Sequence, residues 1–306
     1  RGADNLKDDV SILDISGNNV PVVSVDTMVG GVHFFLDDPA TLIAKKLLRV
    51  NLSDLTSSGA KPVGYLLSIS LPEGTGNRWI NDFALGLKTE QDLQKISLYG
   101  GDTTKTPGPI SLSITAFGEA PSETLVRRSG ARLGDFVYVT GTIGAASVGL
   151  HLIKKMGTDA ANKYAHFAVS RYREPPLLLD LAALLRGKAN AAIDISDGLI
   201  ADVGHICVAS GVAIEIDFNS LPLAPELQLL LSHHDELKNI ILSGGDDYEI
   251  LLCASEDNGR DFINNCKKIG IQVTKIGRVV SGNCEVNVLD GYGKPMKFKK
   301  KGWEHF

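Results

Sequence analysis

Aspartates are the residues whose positions most favour chemistry, because many of them follow apolar runs or lie among Gly, Ser and Thr. They are Asp8, Asp9, Asp26, Asp54, Asp102, Asp194, Asp197, Asp246 and Asp247. Any one of them has the ordinary interpretation of a helix cap or turn residue, since Asp favours both positions. Together they indicate a functional site, because strand ends are where α/β folds place their reactive side chains.

Carboxylates that converge need positive charge among them. Two unit charges about 4 Å apart repel by about 4 kcal/mol at an effective dielectric constant of about 20. The set contains no His or Cys, which disfavours zinc. Oxygen ligands suit Mg²⁺ that bridges carboxylates to phosphate oxygens. The residues alone therefore favour phosphoryl transfer that depends on Mg²⁺.

Two glycine-rich segments are candidates for phosphate binding, since the sequence has neither G-x-x-x-x-G-K-[ST] nor a G-x-G-x-x-G that opens a helix. They are Gly100-Gly101-Asp102-Thr103-Thr104 and Ser243-Gly244-Gly245-Asp246-Asp247. Backbone N–H groups without a neighbouring Cβ can surround a phosphate or admit a metal. A plain tight turn is the alternative for each segment.

Three other side chains could contact an anionic or aromatic ligand. Arg128 could place its planar guanidinium on a phosphate, with a solvated surface Arg as the alternative. His33 could contact a substrate, although a lone His beside Phe34 and Phe35 is also typical of a packed side chain. Trp303 could stack on an aromatic cation or could anchor the end of the chain.

Length and charge narrow the class of protein. The 306 residues favour two domains of roughly 150 residues each, with one large α/β domain as the alternative. A net charge of -5 without a broad basic patch predicts no nucleic-acid partner. No apolar run approaches the roughly 20 residues that span a bilayer, so we expect no membrane segment.

The cysteines and the first residue bear on location. The four cysteines form no C-x-x-C pair, and we interpret them as buried thiols of a cytoplasmic protein. No targeting segment is visible after Arg1, and the lack of Met there suggests that the natural chain begins upstream.

Strands alternate with helices along the chain, which predicts α/β layers. The loop from 119 to 134 is the favoured boundary between a first domain, 1–125, and a second domain, 126–306. The predicted strands are 20–25, 64–71, 96–99, 110–117, 135–140, 191–195, 212–218, 248–254 and 271–280. The predicted helices follow Asp38-Pro39, surround Trp79 to Leu87, follow Gly141 and Gly198, and cover 258–268.

Eight motifs occur in the order that they have in thiamine-monophosphate kinases, which are relatives of aminoimidazole ribonucleotide synthetase, and the chain resembles that family over nearly its whole length. The motifs are Lys7-Asp8-Asp9, Ser24-Val25-Asp26-Thr27 with His33-Phe34, Asn51-Leu52-Ser53-Asp54 with Gly59-Ala60, Gly100-Gly101-Asp102-Thr103, Arg128-Ser129-Gly130-Ala131 with Gly134-Asp135, Ile193-Asp194-Ile195-Ser196-Asp197-Gly198, Ser243-Gly244-Gly245-Asp246-Asp247-Tyr248-Glu249 and Gly302-Trp303-Glu304-His305-Phe306.

The resemblance implies ATP-dependent phosphorylation of thiamine monophosphate to thiamine diphosphate by direct in-line transfer, with several Mg²⁺ ions. It also implies a homodimer in which the N-terminal α+β sheets form a shared barrel, beside a C-terminal α/β domain. The N-terminal domain would then bind metal and ATP and form the dimer.

The resemblance also implies roles for individual residues. The implied metal ligands are Asp9, Ser24, Val25 through its carbonyl, Asp26, Asp54, Asp102, Asp194 and Asp197. The implied ATP contacts are Tyr99, Gly101, Asp102, Arg128 and Ser196. The implied thiamine-phosphate contacts are His33, Asp246 and Trp303. No further catalytic residue is implied, because positioning and charge neutralisation dominate phosphoryl transfer.

Three positions depart from the family pattern. Asn5-Leu6-Lys7 stands where the family has Gly-x-Gly, Asp246 replaces a Glu, and Trp303 replaces a Tyr.

Several other functions are alternatives to this kinase activity. A selenophosphate synthetase would need a reactive residue near the N-terminus, but the first cysteine is Cys207. A hydrogenase-maturation relative would end in Cys, whereas this chain ends in Phe306. The remaining alternatives are an aminoimidazole ribonucleotide synthetase and a catalytically silent nucleotide-binding scaffold.

Overall fold

The structure is a computed structural model that describes residues 11–12, 18–298 and 302–303. The described chain divides into two compact units, and the main boundary between them in the sequence follows Leu125. Residues 57–59 belong to the second unit, together with the chain from Val126 onward. None of the helices in these ranges has both the length and the apolar character needed to cross a membrane.

The first unit contains a five-stranded sheet in the order β1-β2-β5-β3-β4. All neighbouring pairs are antiparallel except β3 and β4, which are parallel and are joined by a helix. The elements are β1 (Ser11–Ile12), β2 (Asn19–Val29), α1 (Ala40–Ser57), β3 (Lys61–Pro72), α2 (Asn77–Gln94), β4 (Ser97–Thr106) and β5 (Ser111–Pro121).

Both helices of this unit pack on one face of its sheet. The hydroxyl of Tyr65 in β3 donates to Gln91 in α2 at 3.0 Å. The buried carboxylate of Glu90 in α2 pairs with Arg49 in α1 at 3.0 Å. The other face exposes apolar side chains, including Val25 at 61% and Leu66 at 39% of their surface. The described strands do not close into a barrel within this chain.

Two features of this sheet differ from the prediction. The strand predicted at 20–25 continues to Val29, so Asp26 lies within β2 and not at its end. The glycine-rich segment after Tyr99 is not a loop, because β4 runs through it to Thr106. Glycine is required there, since a Cβ on Gly101 would overlap the Leu67 carbonyl of the paired strand.

The second unit contains a six-stranded sheet in the order β11-β8-β10-β6-β9-β7, in which only β8 and β11 pair in parallel. Its elements are β6 (Phe136–Thr140), α3 (Ala145–Met156), α4 (Thr158–Tyr164), α5 (His166–Arg173), α6 (Leu181–Leu185), β7 (Ala191–Asp194), α7 (Leu199–Ser210), β8 (Ala213–Asp217), α8 (Pro225–His233), α9 (Leu237–Ser243), β9 (Ile250–Ala254), α10 (Glu256–Lys268), β10 (Val273–Val280) and β11 (Val286–Leu289).

The central strands of this sheet are buried on both faces. In β9, Leu251 and Cys253 join one apolar cluster with residues of α7, while Leu252 joins a second cluster with Phe262 of α10. Successive residues of a strand point to opposite faces, so the continuous apolar run Ile250–Ala254 needs a layer on each side. The mixed α/β architecture in two units is therefore confirmed. Of the cysteines, three are buried, but Cys284 is exposed, contrary to the prediction.

Candidate active site

Ser24, Asp26 and Asp54 meet where α1 packs on β2. The hydroxyl of Ser24 donates to a carboxylate oxygen of Asp54. The backbone N–H of Asp26 donates to the side-chain oxygen of Asn51 at 3.0 Å, and the amide group of Asn51 donates to the Leu47 carbonyl at 2.8 Å. Asn51 and Asp54 are three residues apart in α1 and so share its sheet-facing side. The result is a group of oxygen atoms on a fixed backbone that could bind a cation. Val25 lies between them in β2, opposite Thr115.

Asp102 lies on the other face of the same sheet. The register across β2, β5, β3 and β4 places Asp26 in the row that ends at Gly101. Asp102 belongs to the next row, with Ser68 and Thr27. Side chains in one row share a face, and successive residues alternate between faces. One sheet therefore does not bring Asp26 and Asp102 together. Tyr99 lies three residues before Asp102 in β4 and is 61% exposed.

His33 is held in a tight loop after β2. Its Nδ1 accepts a hydrogen bond from the backbone N–H of Val29 at 2.9 Å, so the neutral ring carries its proton on Nε2. The loop turns at Gly31, whose φ of +80° favours glycine. Lys46 of α1, only 3% exposed, donates to the backbone carbonyl of His33 at 3.2 Å. The loop thus presents an N–H donor that can contact a phosphate or a ring nitrogen.

Asp197 of the second unit lies in the loop between β7 and α7. Asp202, in the first turns of α7, accepts hydrogen bonds from the backbone N–H groups of Asp197 and Gly198 at 3.1 and 3.0 Å. Burial, followed by the charges of Asp197 and Asp194, raises the pKa of Asp202 well above its usual value. Ligand atoms of Asp197, Asp202 and His205 lie within 4.8 Å of one another.

Asp202 and His205 are not among the residues that the sequence indicates as site residues. Asp202 and His205 are three residues apart in α7 and so share one side of this helix, which faces Asp197 in the preceding loop. That spacing was the available signal. It introduces a histidine nitrogen into a group that the sequence had indicated as oxygen-only. Burial, and then the charge of Arg128, lowers the pKa of His205, which favours the neutral ring at neutral pH.

The loop 243–249 is fixed against the segment that carries Asp194 and Asp197. The backbone N–H of Asp246 donates to the Ser196 carbonyl at 2.9 Å, and that of Tyr248 donates to the Ile195 carbonyl at 2.8 Å. Asp246 and Tyr248 both have positive φ values, +72° and +50°, which are uncommon for non-glycine residues. Such strain persists only where the surroundings over-determine the backbone.

Asp247 is the side chain that fixes this strained loop, and it is not an exposed ligand. Its carboxylate is 1% exposed and accepts hydrogen bonds from the backbone N–H groups of Gly144 and Ala146, at 2.6 and 3.4 Å, where α3 begins. The helix N-terminus favours a carboxylate at this point. Asp247 was among the aspartates that the sequence indicated as site residues, but the structure assigns it to a helix cap.

A second buried acid extends the same support. Glu249 accepts a hydrogen bond from Thr140 at 2.6 Å and pairs with Arg171 at 2.5 Å. Burial raises the pKa of Glu249, and the Arg171 guanidinium opposes that shift. Thr140 in turn accepts the backbone N–H of Ile250 at 2.8 Å. These contacts join β6, α5 and β9 beneath the loop that carries Asp246.

Trp303 lies beside the Asp197 loop. Its backbone N–H donates to the Asp197 carbonyl at 3.0 Å, and the Lys154 ammonium lies 5.9 Å from the centre of its indole ring. The side chain is 44% exposed, so it is not a buried anchor of the core. The structure therefore brings Trp303, Asp197, Ser196 and Asp246 into one region of the second unit. Asp9 lies outside the described residues.

Comparisons with known proteins agree over nearly the whole chain. Residues 7–120 match the family described as "AIR synthase related protein, N-terminal domain", and residues 132–288 match its C-terminal domain. A "Thiamine-monophosphate kinase" of Caulobacter vibrioides is 37% identical, with 98% of this chain and 85% of that relative covered.

Solved structures show the same similarity. The structure described as "AaThiL complexed with AMPPCP and TMP" is 32% identical, with a TM-score of 0.86 and coverage of 98% of this chain and 91% of that chain. A thiamine-monophosphate kinase from Stenotrophomonas maltophilia K279a is 38% identical, with a TM-score of 0.83 and coverage of 94% and 90%.

The burial of Asp247 should make the free energy of unfolding depend on pH. Burial raises the pKa of Asp247 to about 7 in the folded protein, above an unfolded value of about 3.9. The folded state then binds the proton more tightly, so the stabilisation is complete below about pH 4 and is lost as the pH rises through about 7. Relative to Asp247→Asn, the free energy of unfolding of the wild type should fall over this range, by on the order of 4 kcal/mol at most.

Urea unfolding of both proteins at several pH values measures this difference. Asp257→Asn, at a carboxylate that is 94% exposed, is the control. Its pH profile should be parallel to that of the wild type. A parallel profile for Asp247→Asn as well would contradict the prediction.

Proposed function

The chain belongs to the thiamine-monophosphate kinase family, and on this basis we propose that it transfers the γ-phosphoryl group of ATP to thiamine monophosphate to form thiamine diphosphate. The observation that carries this function is the similarity, over 98% of the chain, to a structure that holds AMPPCP and TMP. The products are ADP and thiamine diphosphate, and the reaction is the last step in making the diphosphate.

The acceptor chemistry explains why no general base is needed. A phosphate monoester has a second pKa of about 6, so its oxygen is already an anionic nucleophile at neutral pH. The obstacle is the repulsion between two phosphate groups that must approach in line. The carboxylates therefore do not remove a proton. They would hold the cations that offset this repulsion, in a direct transfer without a phosphorylated enzyme.

The donor set fits Mg²⁺. The hydroxyl of Ser24 and the carboxylates of Asp26 and Asp54 offer hard oxygen ligands on a rigid helix and strand. We assign the same role to Asp9, Asp102, Asp194, Asp197 and the Val25 carbonyl. Bound Mg²⁺ supplies positive charge to phosphate oxygens.

The remaining assigned residues bind and orient the two substrates. We propose that the nucleotide contacts Tyr99, Gly101, Asp102, Arg128 and Ser196. We propose that thiamine monophosphate contacts His33, Asp246 and Trp303. The Nε2–H of His33 is positioned as a donor by the bond that its Nδ1 accepts. Asp246 is held by the strained loop, and the Trp303 indole offers a face to a thiazolium ring.

We propose a homodimer in which the N-terminal domain, 1–125, pairs its sheet with that of a second copy to form a shared barrel. The face of the sheet opposite α1 and α2 supports this, because it exposes Val25 and Leu66. The opposite-face placement of Asp26 and Asp102 supports it further, because two chains can supply what one sheet separates. The second domain, 126–306, carries the Asp197 and Asp246 loops. The ATP requirement favours a cytoplasmic location.

The assay that tests the activity is incubation of the protein with ATP, Mg²⁺ and thiamine monophosphate, followed by chromatographic detection of thiamine diphosphate. We expect one diphosphate for each ADP formed. Free thiamine should be a poor acceptor, because it lacks the phosphate oxygen that attacks. Absence of the diphosphate from a folded, metal-replete sample would contradict the activity and favour a silent nucleotide-binding scaffold.

Mixed dimers test whether two chains build one site. Asp26→Asn and Asp102→Asn should each lower turnover by about a hundredfold or more, because each removes one electrostatic contact. A heterodimer of the two variants, purified through two different tags, should regain about half of the wild-type activity, since one of its two sites is intact.

The control is Asp92→Asn, at an exposed carboxylate of α2, which should remain fully active. A heterodimer as inactive as its parents would place Asp26 and Asp102 of one chain in the same site. A monomeric wild type in sedimentation would contradict the dimer itself.

Substitution of Trp303 distinguishes a role in substrate binding from a role in anchoring the end of the chain. Trp303→Ala should raise the KM for thiamine monophosphate several-fold, as expected for loss of a cation–π contact of about 0.5 to 2 kcal/mol. The KM for ATP and the Tm should change little, because the side chain is 44% exposed. Trp303→Phe should retain most of the affinity. A lower Tm with an unchanged KM would show that Trp303 only anchors the tail.

A further inference from the structure

The hydroxyl of Ser210 ties the loop that carries Arg128 to the last turn of α7. Its oxygen accepts hydrogen bonds from the backbone N–H groups of Gly130 and Ala131 at 3.1 and 3.2 Å. Its proton is donated to the Arg128 carbonyl at 3.3 Å. A hydroxyl has one proton and two acceptor lone pairs. All three are directed at one four-residue segment that is about eighty residues away in sequence.

The ends of this loop are held by other contacts. The Arg127 carbonyl accepts the backbone N–H of Ala192 at 2.9 Å. The backbone N–H of Arg132 donates to Asp135 at 2.9 Å, and the Asn190 amide also donates to Asp135. These contacts lie on either side of residues 128–131. The loop therefore stays attached without Ser210, while the backbone of Arg128 itself depends on that hydroxyl.

Glycine at position 130 makes the close approach possible. Gly130 has a φ of +120°, and a Cβ there would lie 2.5 Å from the Asn190 carbonyl oxygen. This backbone conformation directs the N–H groups of Gly130 and Ala131 toward the same oxygen. Two successive N–H groups directed at one point form a pocket of the kind that binds anions. Here the Ser210 oxygen fills it, so the N–H pair serves to fix the loop.

Helix α7 connects this loop to the Asp197 region. Its first turns hold the Asp197 backbone through Asp202, and its last turn holds the Arg128 backbone through Ser210. His205 lies between these two ends of α7, and the charges of Arg128 and Asp197 both affect the pKa of its imidazole. A helix is stiff over its length, so α7 sets the spacing between the backbone segments that carry Asp197 and Arg128.

We propose that Ser210 is a positioning residue for the nucleoside triphosphate, which it serves by fixing the backbone from which the Arg128 guanidinium reaches the phosphates. This rests on the proposed role of Arg128 in nucleotide binding. Ser210 does not touch the nucleotide. It sets the position and orientation of the residue that does.

The variant Ser210→Ala tests this proposal through its affinity for the nucleotide, which a purely structural role of Ser210 would leave unchanged. The Kd for AMPPCP with Mg²⁺, measured by calorimetry, should rise roughly three- to tenfold, because the backbone that carries Arg128 loses the hydrogen bonds that fix it. The KM for thiamine monophosphate and the Tm should stay near the wild-type values. Ser210→Thr keeps the hydroxyl and should restore the Kd. The control is Ser232→Ala, at a serine whose hydroxyl donates within its own helix, to Leu229.

A double-mutant cycle decides whether Ser210 acts through Arg128. Ser210→Ala should cause no further loss of AMPPCP affinity in an Arg128→Ala background. An additional full loss in that background, normal affinity in either single variant, or a fall in Tm without a change in Kd overturns the proposal. Because calorimetry needs no acceptor, the result stands apart from the kinase assay, whose failure would count against the proposed function alone.

Discussion

Repulsion between carboxylates that the fold fixes near one another is the constraint on which both candidate site regions depend. In the second unit, Asp202 shows it directly, because the charges of Asp197 and Asp194 add to burial in raising its pKa. In the first unit, Asp54 accepts a hydrogen bond from Ser24, which offsets part of the charge. Hydrogen bonds relieve such repulsion only in part, and a bound divalent cation would relieve more of it. The positions of the acids therefore support the proposal that they bind Mg²⁺.

The rest of the structure keeps these acids in place. Asn51 joins α1 to the backbone of Asp26, and Asp247 caps α3 while it fixes the loop of Asp246. The pair of Glu249 and Arg171 supports that loop from below. Each of these side chains makes its bonds within the protein and touches backbone or a buried partner. Much of the polar interior therefore maintains geometry, which is what phosphoryl transfer requires of a protein.

The sequence predicts the main helices and strands well, because their apolar periodicity is strong, as in α1 and in the run Ile250–Ala254. It does not predict the short helices α4 to α6, α8 and α9, or the edge strand β11, whose few residues carry little periodicity. The Gly100-Gly101-Asp102 segment resembles a loop in sequence. It forms a strand, in which Gly101 leaves room for the backbone of the paired strand β3. Asp247 and the aspartates assigned as ligands have similar neighbours in sequence, and only the hydrogen bonds that Asp247 accepts at the N-terminus of α3 identify it as a helix cap. The roles of the individual site residues stay predictions.

Thermal unfolding with and without Mg²⁺ tests the central claim, that the clustered acids are built for divalent cations. Ligand that binds only the folded state raises the Tm. The account predicts that millimolar Mg²⁺ raises the Tm of the chelator-treated protein, that NaCl of equal ionic strength does not, and that Asp26→Asn and Asp197→Asn each reduce the rise. An equal Tm in Mg²⁺ and NaCl would contradict it.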